Sequence, residues 1–294
     1  MFNYLKYMVT VPRKFILNWA ISGGVYLLIL PLAFANTSVE SLLIDTQREA
    51  FRGMSENETM MNLLGISDWD NVFTLEGMVT TYFLIPFVPI LIGIATIILL
   101  NKLGSKAEED GTFEFVAALP MTRSTVYLTQ SLLAVFFGLF VTFAWTNIMF
   151  IPIATMELSQ TLDYVPLMKA TLQAALAGVS FGVLGFALGA YTGKSSMAWA
   201  FGGGLMAIEY LANSLKGTND FFLWIDDNIS SFGAYGNPYQ DGLIGGDVFL
   251  VIGKIALFLA IGFIGFRNRS LNLSLIHISE PTRRRGISYA VFCL

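Results

Sequence analysis

The chain has 294 residues, of which 55% are apolar and only 13% charged, and its mean hydropathy is +0.64. Soluble domains carry about 25% charged residues, so this chain has too few polar side chains to coat a water-soluble domain of its size. Its formal net charge of −4 offers no basic face for phosphates, and we expect no nucleic-acid partner.

The first element in chain order is a short amphipathic segment that precedes the first long apolar run. Phe2, Leu5, Met8 and Val9 recur at helical spacing, with Lys6 beside them. This pattern predicts a helix that lies along the inner membrane face. A frayed terminus is the alternative.

Six apolar runs follow, each long enough to cross roughly 30 Å of hydrocarbon with about 20 residues. Their hydrophobicity is continuous rather than alternating, which predicts helices rather than barrel strands. We therefore predict an all-α polytopic membrane protein with six transmembrane helices, at residues 15–35, 79–100, 125–151, 167–191, 196–215 and 247–266.

Basic residues are unevenly divided between the two sides of this predicted topology. Nine lie on one side: Lys6, Arg13, Lys14, Lys102, Lys106, Arg123, Lys194, Arg267 and Arg269. The other side has four: Arg48, Arg52, Lys169 and Lys216. The positive-inside rule therefore predicts a multi-pass protein of the cell membrane with both termini in the cytoplasm.

The loop between the second and third runs, residues 106–130, reads KAEEDGTFEFVAALPMTRSTVYLTQ. Its acidic start suits the positive end of a helix dipole, and an apolar turn follows before Pro120. The pattern predicts a short amphipathic helix, exposed to the cytosol between two membrane helices. A solvated acidic loop is the alternative.

The run E-E-x-G-T-x-E-x-x-x-x-L-P-x-x-R in this loop resembles the permease subunits of type-2 ABC exporters. The six-run layout extends the resemblance over residues 1–272, and Gln130 stands where many relatives carry lysine. The resemblance implies that the loop carries a coupling helix, which docks on a separate ATPase. The residues concerned are Glu108, Glu109, Gly111, Thr112, Phe113, Glu114, Leu119, Pro120 and Arg123.

The resemblance also implies which of these residues contact the ATPase and which determine the shape of the loop. Glu109, Glu114 and the turn 113–119 would contact the ATPase, while Gly111 and Pro120 shape the segment. ATP and Mg would bind to the partner ATPase, so this chain would bind no cofactor itself. A second permease copy or a paralogue would complete a dimer, and the expected location is the bacterial plasma membrane.

The last stretch, residues 273–294, resembles the translated read-through of a sequencing adapter, so we expect the natural chain in residues 1–272. The only histidine, His277, and the only cysteine, Cys293, fall in this stretch. Without them, few groups remain for acid–base or nucleophilic catalysis or for a zinc site. We therefore predict no catalytic and no metal-binding residues, and a transporter subunit rather than a membrane-embedded enzyme.

Two local patterns resemble features of other classes of protein, a phosphate-binding loop and a broken transporter helix. The stretch GAYTGKS, at 189–195, has three residues between its glycines where a phosphate-binding loop needs four. Pro86 and Pro89 interrupt the second run, as in the broken helices of secondary transporters, but no matching interruption is apparent elsewhere. An ATP-independent transporter or channel is the alternative function.

Two charges fall inside the predicted spans, Glu209 in the fifth and Lys254 in the sixth. Because unpaired charges in a bilayer cost several kcal/mol, we expect them to pair, with snorkelling or substrate contact as alternatives.

Four glycines in the fourth run, Gly178, Gly182, Gly185 and Gly189, have the spacing that lets membrane helices approach closely. Packing within the chain and a dimer seam are both open.

Overall fold

The computed structural model describes residues 12–50, 60–61, 71–84, 87–158, 160–235, 239 and 245–271. In these ranges all regular elements are helical and no strand occurs. The α-helices are α1 (Arg13–Leu27), α2 (Ile29–Phe34), α3 (Thr37–Ala50), α4 (Leu75–Val79), α5 (Phe87–Leu103), α6 (Ser105–Glu109), α7 (Glu114–Ala117), α8 (Arg123–Thr155), α9 (Tyr164–Thr192), α10 (Ser195–Leu215), α11 (Asp220–Asn228) and α12 (Gly245–Asn268). A 3₁₀ turn covers Asn71–Phe73 and a π-helical turn covers Thr80–Leu84.

The all-helical prediction is confirmed for the described residues. Five helical stretches are long and apolar enough to cross a membrane: Arg13–Phe34, Phe87–Glu109, Arg123–Thr155, Tyr164–Thr192 and Asp247–Asn268. The predicted fifth run forms α10, a helix of 21 residues that is not among these five. Its status as a span stays a prediction, and so does the count of six.

The second predicted span does not begin at Val79 as expected. Val79 ends the short helix α4, a π-helical turn follows, and α5 starts only at Phe87. Proline has no N–H donor and disfavours helical geometry in the residue before it, so a run with Pro86 and Pro89 is poorly suited to one unbroken helix. Hydropathy alone does not register this effect.

Helix α9 occupies the centre of the bundle and packs against α5, α8, α10 and α12, while α8 also packs against α1. The glycines of α9 make this close packing possible. A Cβ atom on Gly178 would lie 2.6 Å from the Pro89 carbonyl oxygen, and one on Gly185 would lie 2.6 Å from the Ala198 carbonyl oxygen.

Gly182 and Gly189 face inward in the same way. Added Cβ atoms would lie 2.3 Å from Thr96 Cγ2 and 2.7 Å from Ser105 Oγ. All four glycines of the fourth run are therefore buried against this chain's own helices, which fits packing within the chain and not a dimer seam.

Two predicted features lie outside the described residues. They are the amphipathic helix expected from Phe2, Leu5, Met8 and Val9, and the adapter-like stretch 273–294.

Candidate functional site

Residues 105–123, which we name the connecting segment, join α5 to α8 through the short helices α6 and α7. Gly111 lies between these helices with φ of +72°, a left-handed conformation that side-chain-bearing residues rarely adopt. The Phe113 N–H and the Thr112 hydroxyl then donate to the Ala107 carbonyl, over 2.9 and 3.2 Å. Gly111 thus lets the chain fold back on α6, as expected for a residue that shapes the segment.

The connecting segment has an inward and an outward apolar face. Phe113 and Val116 are buried, and the Phe113 ring meets Phe266 of α12 edge-on, with 6.2 Å between ring centroids. Phe115 is 77% exposed and Leu119 is 40% exposed, and Pro120 beside it is exposed too. Phe113 therefore packs the segment against the bundle, while Phe115 and Leu119 are exposed.

Glu108 faces the interior of the bundle. Both of its carboxylate oxygens accept from the guanidinium of Arg269, which follows α12; one of these bonds, from Nη1 to Oε1, measures 2.6 Å. The Arg269 Nε also donates to the carbonyl of Ala190 in α9, over 2.6 Å. Such bidentate pairing is directional and strong, so Glu108 anchors the connecting segment to α9 and α12.

Arg123 and Gly193 complete this anchor. The Arg123 Nη1 donates to the Arg269 carbonyl over 2.6 Å, which links the start of α8 to the end of α12. Gly193 ends α9 with φ of +73°, and a Cβ atom there would lie 2.9 Å from Arg269 Nη1. The absence of a side chain at Gly193 therefore leaves the space that the Arg269 guanidinium occupies.

Glu109 connects the segment to the start of α10. Its Oε1 accepts from the backbone N–H of Ser195, the first residue of α10, over 2.7 Å. A carboxylate at this position satisfies a free N–H group and complements the helix dipole. Lys106 lies 3.7 Å from the same carboxylate and 3.0 Å from Asp110, both in exposed pairs.

Glu114 begins α7 and is half-buried. Its Oε1 is buried and has no hydrogen-bond partner within the part of the chain that the structure describes. The connecting segment thus presents Phe115 and Leu119 outward, while Glu114 is partly buried.

The two charges that the sequence places in predicted spans, Glu209 and Lys254, lie together. The Lys254 ammonium of α12 donates to Glu209 Oε1 of α10 over 2.5 Å, and also to the Ile229 carbonyl and the Ser231 hydroxyl over 2.9 and 2.8 Å. The Ser231 N–H donates to Glu209 Oε2 over 2.6 Å. Each charge therefore has several partners, which offsets the cost of removing it from water.

The residues 229–235 that close this cluster have no local sequence signal, and sequence reasoning missed them. Ser231 also lies 3.1 Å from the Ser180 hydroxyl, and the Phe232 ring stacks on Phe181, with 5.5 Å between centroids. The Gln173 amide donates to the Ala234 carbonyl over 2.9 Å. This stretch thus contacts α9, α10 and α12 beside the charge pair.

The described residues contain no group of three His, Cys, Asp or Glu side chains placed to hold a metal ion. No protein-family model matches the chain, and neither a curated protein nor a solved structure is significantly similar to it. Family membership therefore stays a prediction that rests on the residues of the connecting segment.

Proposed function

We propose that this chain is the transmembrane permease subunit of an ATP-driven type-2 ABC exporter. In this proposal α7 is the coupling helix, and it docks on a separate ATPase subunit that binds ATP and Mg. The observation that carries the proposal is Phe115, an aromatic side chain 77% exposed on a four-residue helix between two membrane-spanning helices. An exposed aromatic side chain of this kind is typical of the anchors of protein interfaces.

The position of α7 in the bundle supports docking in the cytoplasm. The connecting segment contacts the end of α9, the start of α10 and the residue after α12. The loops predicted to be cytoplasmic therefore meet at one end of the bundle, which is rich in Lys and Arg. The positive-inside rule favours the cytoplasm for this end.

Helix α10 serves as the sixth span in this proposal. Its 21 residues reach roughly 30 Å, enough to cross the hydrocarbon layer. Its charged residue Glu209 is paired with Lys254, which reduces the cost of placing it there. Six spans put both termini on the same side of the membrane, as the distribution of basic residues requires.

The contacts of the connecting segment indicate how ATPase movement would reach the spans. Glu108 joins the segment to α9 and α12 through Arg269, and Glu109 joins it to the start of α10. A displacement of α7 by ATP binding would therefore act on three membrane helices together. A second permease copy or a paralogue would supply the other half of the transport pathway.

An ATP-independent transporter or channel is the second candidate. It is favoured by the π-helical turn Thr80–Leu84 ahead of α5, since secondary transporters use irregular helices around their substrates. Helices α8, α9, α10 and α12 contain no comparable π-helical turn.

The test is affinity purification from native membranes in mild detergent, with mass-spectrometric identification of co-purifying proteins. We expect recovery of a soluble ABC ATPase with the unmodified chain and a several-fold loss with Phe115→Ala. Phe249→Ala is the matched control, because Phe249 in α12 is 75% exposed but lies outside the connecting segment. A stable preparation without an ABC ATPase would overturn the proposal in favour of the second candidate.

A further inference from the structure

A groove of about 510 Å³ lies where the start of α1 and the end of α5 meet the connecting segment. Its walls are mainly apolar and its rim carries two lysines; the residues that matter are Lys14, Phe15, Ile98, Lys102, Phe115 and Val116. This volume falls within the range of roughly 300–1,000 Å³ that small-molecule sites occupy.

The lining of the groove carries two positively charged side chains and no negatively charged one. Lys14 and Lys102 are exposed, the lining contains no acidic residue, and neither lysine has an ion-pair partner among the described residues. The three acidic residues that follow Lys102 most closely in sequence are engaged elsewhere: Glu108 with Arg269, Glu109 with the Ser195 N–H, and Asp110 with Lys106.

The start of α1 adds to this positive charge. Helix α1 has no side-chain cap and no acidic residue in its first turn, although Arg13 and Lys14 lie there. The first N–H groups of an α-helix have no partner within the helix, and they carry the positive end of its dipole. The dipole of α1 therefore adds to the attraction of the two ammonium groups for an anion.

We propose that this groove binds an anionic glycerophospholipid, with its phosphate between Lys14 and Lys102 and an acyl chain against Phe15 and Ile98. The proposal rests on the membrane orientation given above, because the cytoplasmic leaflet is the one that carries anionic lipids. Basic pockets between membrane helices on that side are suited to anionic headgroups. A groove with two cations and apolar walls suits a ligand that has both a phosphate and a hydrocarbon chain. A ligand with only one of these groups would leave part of the groove without a matching contact.

Another occupant would be the chain's own first eleven residues, which precede Pro12 at the edge of the groove. That stretch contains Lys6 and no acidic residue, so its charge has the same sign as that of the groove. Charge complementarity therefore favours the anionic lipid.

The lipid would bind directly beside the proposed coupling helix. Val116 and Phe115 both line the groove, and Phe115 also forms the outward face of the connecting segment. A bound acyl chain would brace α7 from the membrane side.

The test is native mass spectrometry of the full chain in detergent, titrated with dioleoyl-phosphatidylglycerol or dioleoyl-phosphatidylcholine. We expect selective retention of phosphatidylglycerol, and roughly 30-fold weaker binding in the Lys14→Gln/Lys102→Gln variant, from the usual contribution of two lysines near an anionic lipid. The matched control is Lys106→Gln/Lys194→Gln, which removes two exposed lysines of the same end outside the groove. Equal retention of both lipids, or an equal loss in the control, would overturn the proposal.

Two further arms identify the occupant. Glycerol 3-phosphate, which carries the phosphate without acyl chains, is expected not to displace the lipid; displacement at equal concentration would assign the groove to a soluble phosphate instead. In a Cys293→Ser background, near-complete disulfide formation between Met8→Cys and Ile98→Cys in membranes would show the chain's own terminus in the groove. All of these measurements need no ATPase, so their failure is distinct from failure of the proposed function.

Discussion

Arg269 and Glu108 join two parts of the chain that are 161 residues apart in sequence, and they do so through a bidentate ion pair at the end of the bundle. Both side chains are largely buried, with 15% and 2% of their surfaces exposed. Because Arg269 also binds the Ala190 carbonyl and accepts from Arg123 through its own carbonyl, the pair is the centre of a network. This network holds the connecting segment against α8, α9 and α12.

Breaking this pair should therefore destabilise the protein strongly. Arg269→Ala leaves the Glu108 carboxylate buried without its cation, and removal of one partner of a buried pair costs about 3–5 kcal/mol. The measurement is the free energy of unfolding in mixed detergent micelles. Lys106→Ala, which removes the cation of the exposed pairs with Glu109 and Asp110, is the control and should leave stability unchanged. Equal effects of the two changes would show that the Glu108–Arg269 pair is not a structural anchor.

The Glu209–Lys254 pair should show strong coupling in a double-mutant cycle. Lys254→Met leaves Glu209 charged in a site where 1% of its side chain is exposed, so we expect a loss of about 3–5 kcal/mol. The Glu209→Gln/Lys254→Met variant removes both charges and should be more stable than Lys254→Met alone. Additive effects would mean that the two side chains do not depend on each other in the membrane.

Sequence patterns predicted the helices and the contact between Glu209 and Lys254, but not the other contacts between the helices. Runs such as 125–151 and 167–191 were recognisable because hydropathy is a local property, and α8 and α9 cover both. Most of the residues next to Glu108 and Arg269 in sequence are polar, as at an ordinary surface position. The pairing of Glu108 with Arg269 depends instead on how α12 packs on α9. Ser231 likewise reaches Glu209 only through tertiary folding.

The sequence predicted where the candidate site lies in the chain, but not which of its side chains face inward and which face outward. The motif located the connecting segment, but helix α7 has only four residues, too few for periodicity to assign an inward and an outward face. The sequence therefore gives no reason to distinguish Phe113 from Phe115, whereas in the structure Phe113 is buried and Phe115 is exposed. The start of the second span was placed too early, at Val79, because hydropathy averages over proline geometry; α5 begins at Phe87.

Glycines of α9 should respond to substitution according to what faces them. Gly185→Ala would place a Cβ atom 2.6 Å from the backbone oxygen of Ala198, which cannot move aside without shifting α10. We expect a loss of about 1–3 kcal/mol, measured by unfolding in mixed micelles. Gly203→Ala in α10 is the control: nothing lies within 4 Å of its added Cβ atom, and alanine is the better helix former. A stabilised Gly185→Ala protein would contradict the close approach of α9 and α10.

Substitutions at the two phenylalanines of the connecting segment should affect different properties, stability at Phe113 and partner binding at Phe115. Phe113→Ala removes a ring that is 3% exposed, and such core truncations cost about 3–5 kcal/mol. Phe115→Ala removes a ring that is 77% exposed, so the free energy of unfolding should change by no more than about 0.5 kcal/mol.

The readout that decides between the two roles is transport-linked ATPase activity in proteoliposomes that contain the co-purified complex. We expect Phe115→Ala to lower this activity several-fold at unchanged stability, because an anchor at an interface is lost while the fold is kept. Phe113→Ala should lower stability first, and its activity should recover when measured at lower temperature. If Phe115→Ala keeps full activity and full recovery of the ATPase, α7 is not the docking helix and its exposed ring faces lipid headgroups instead.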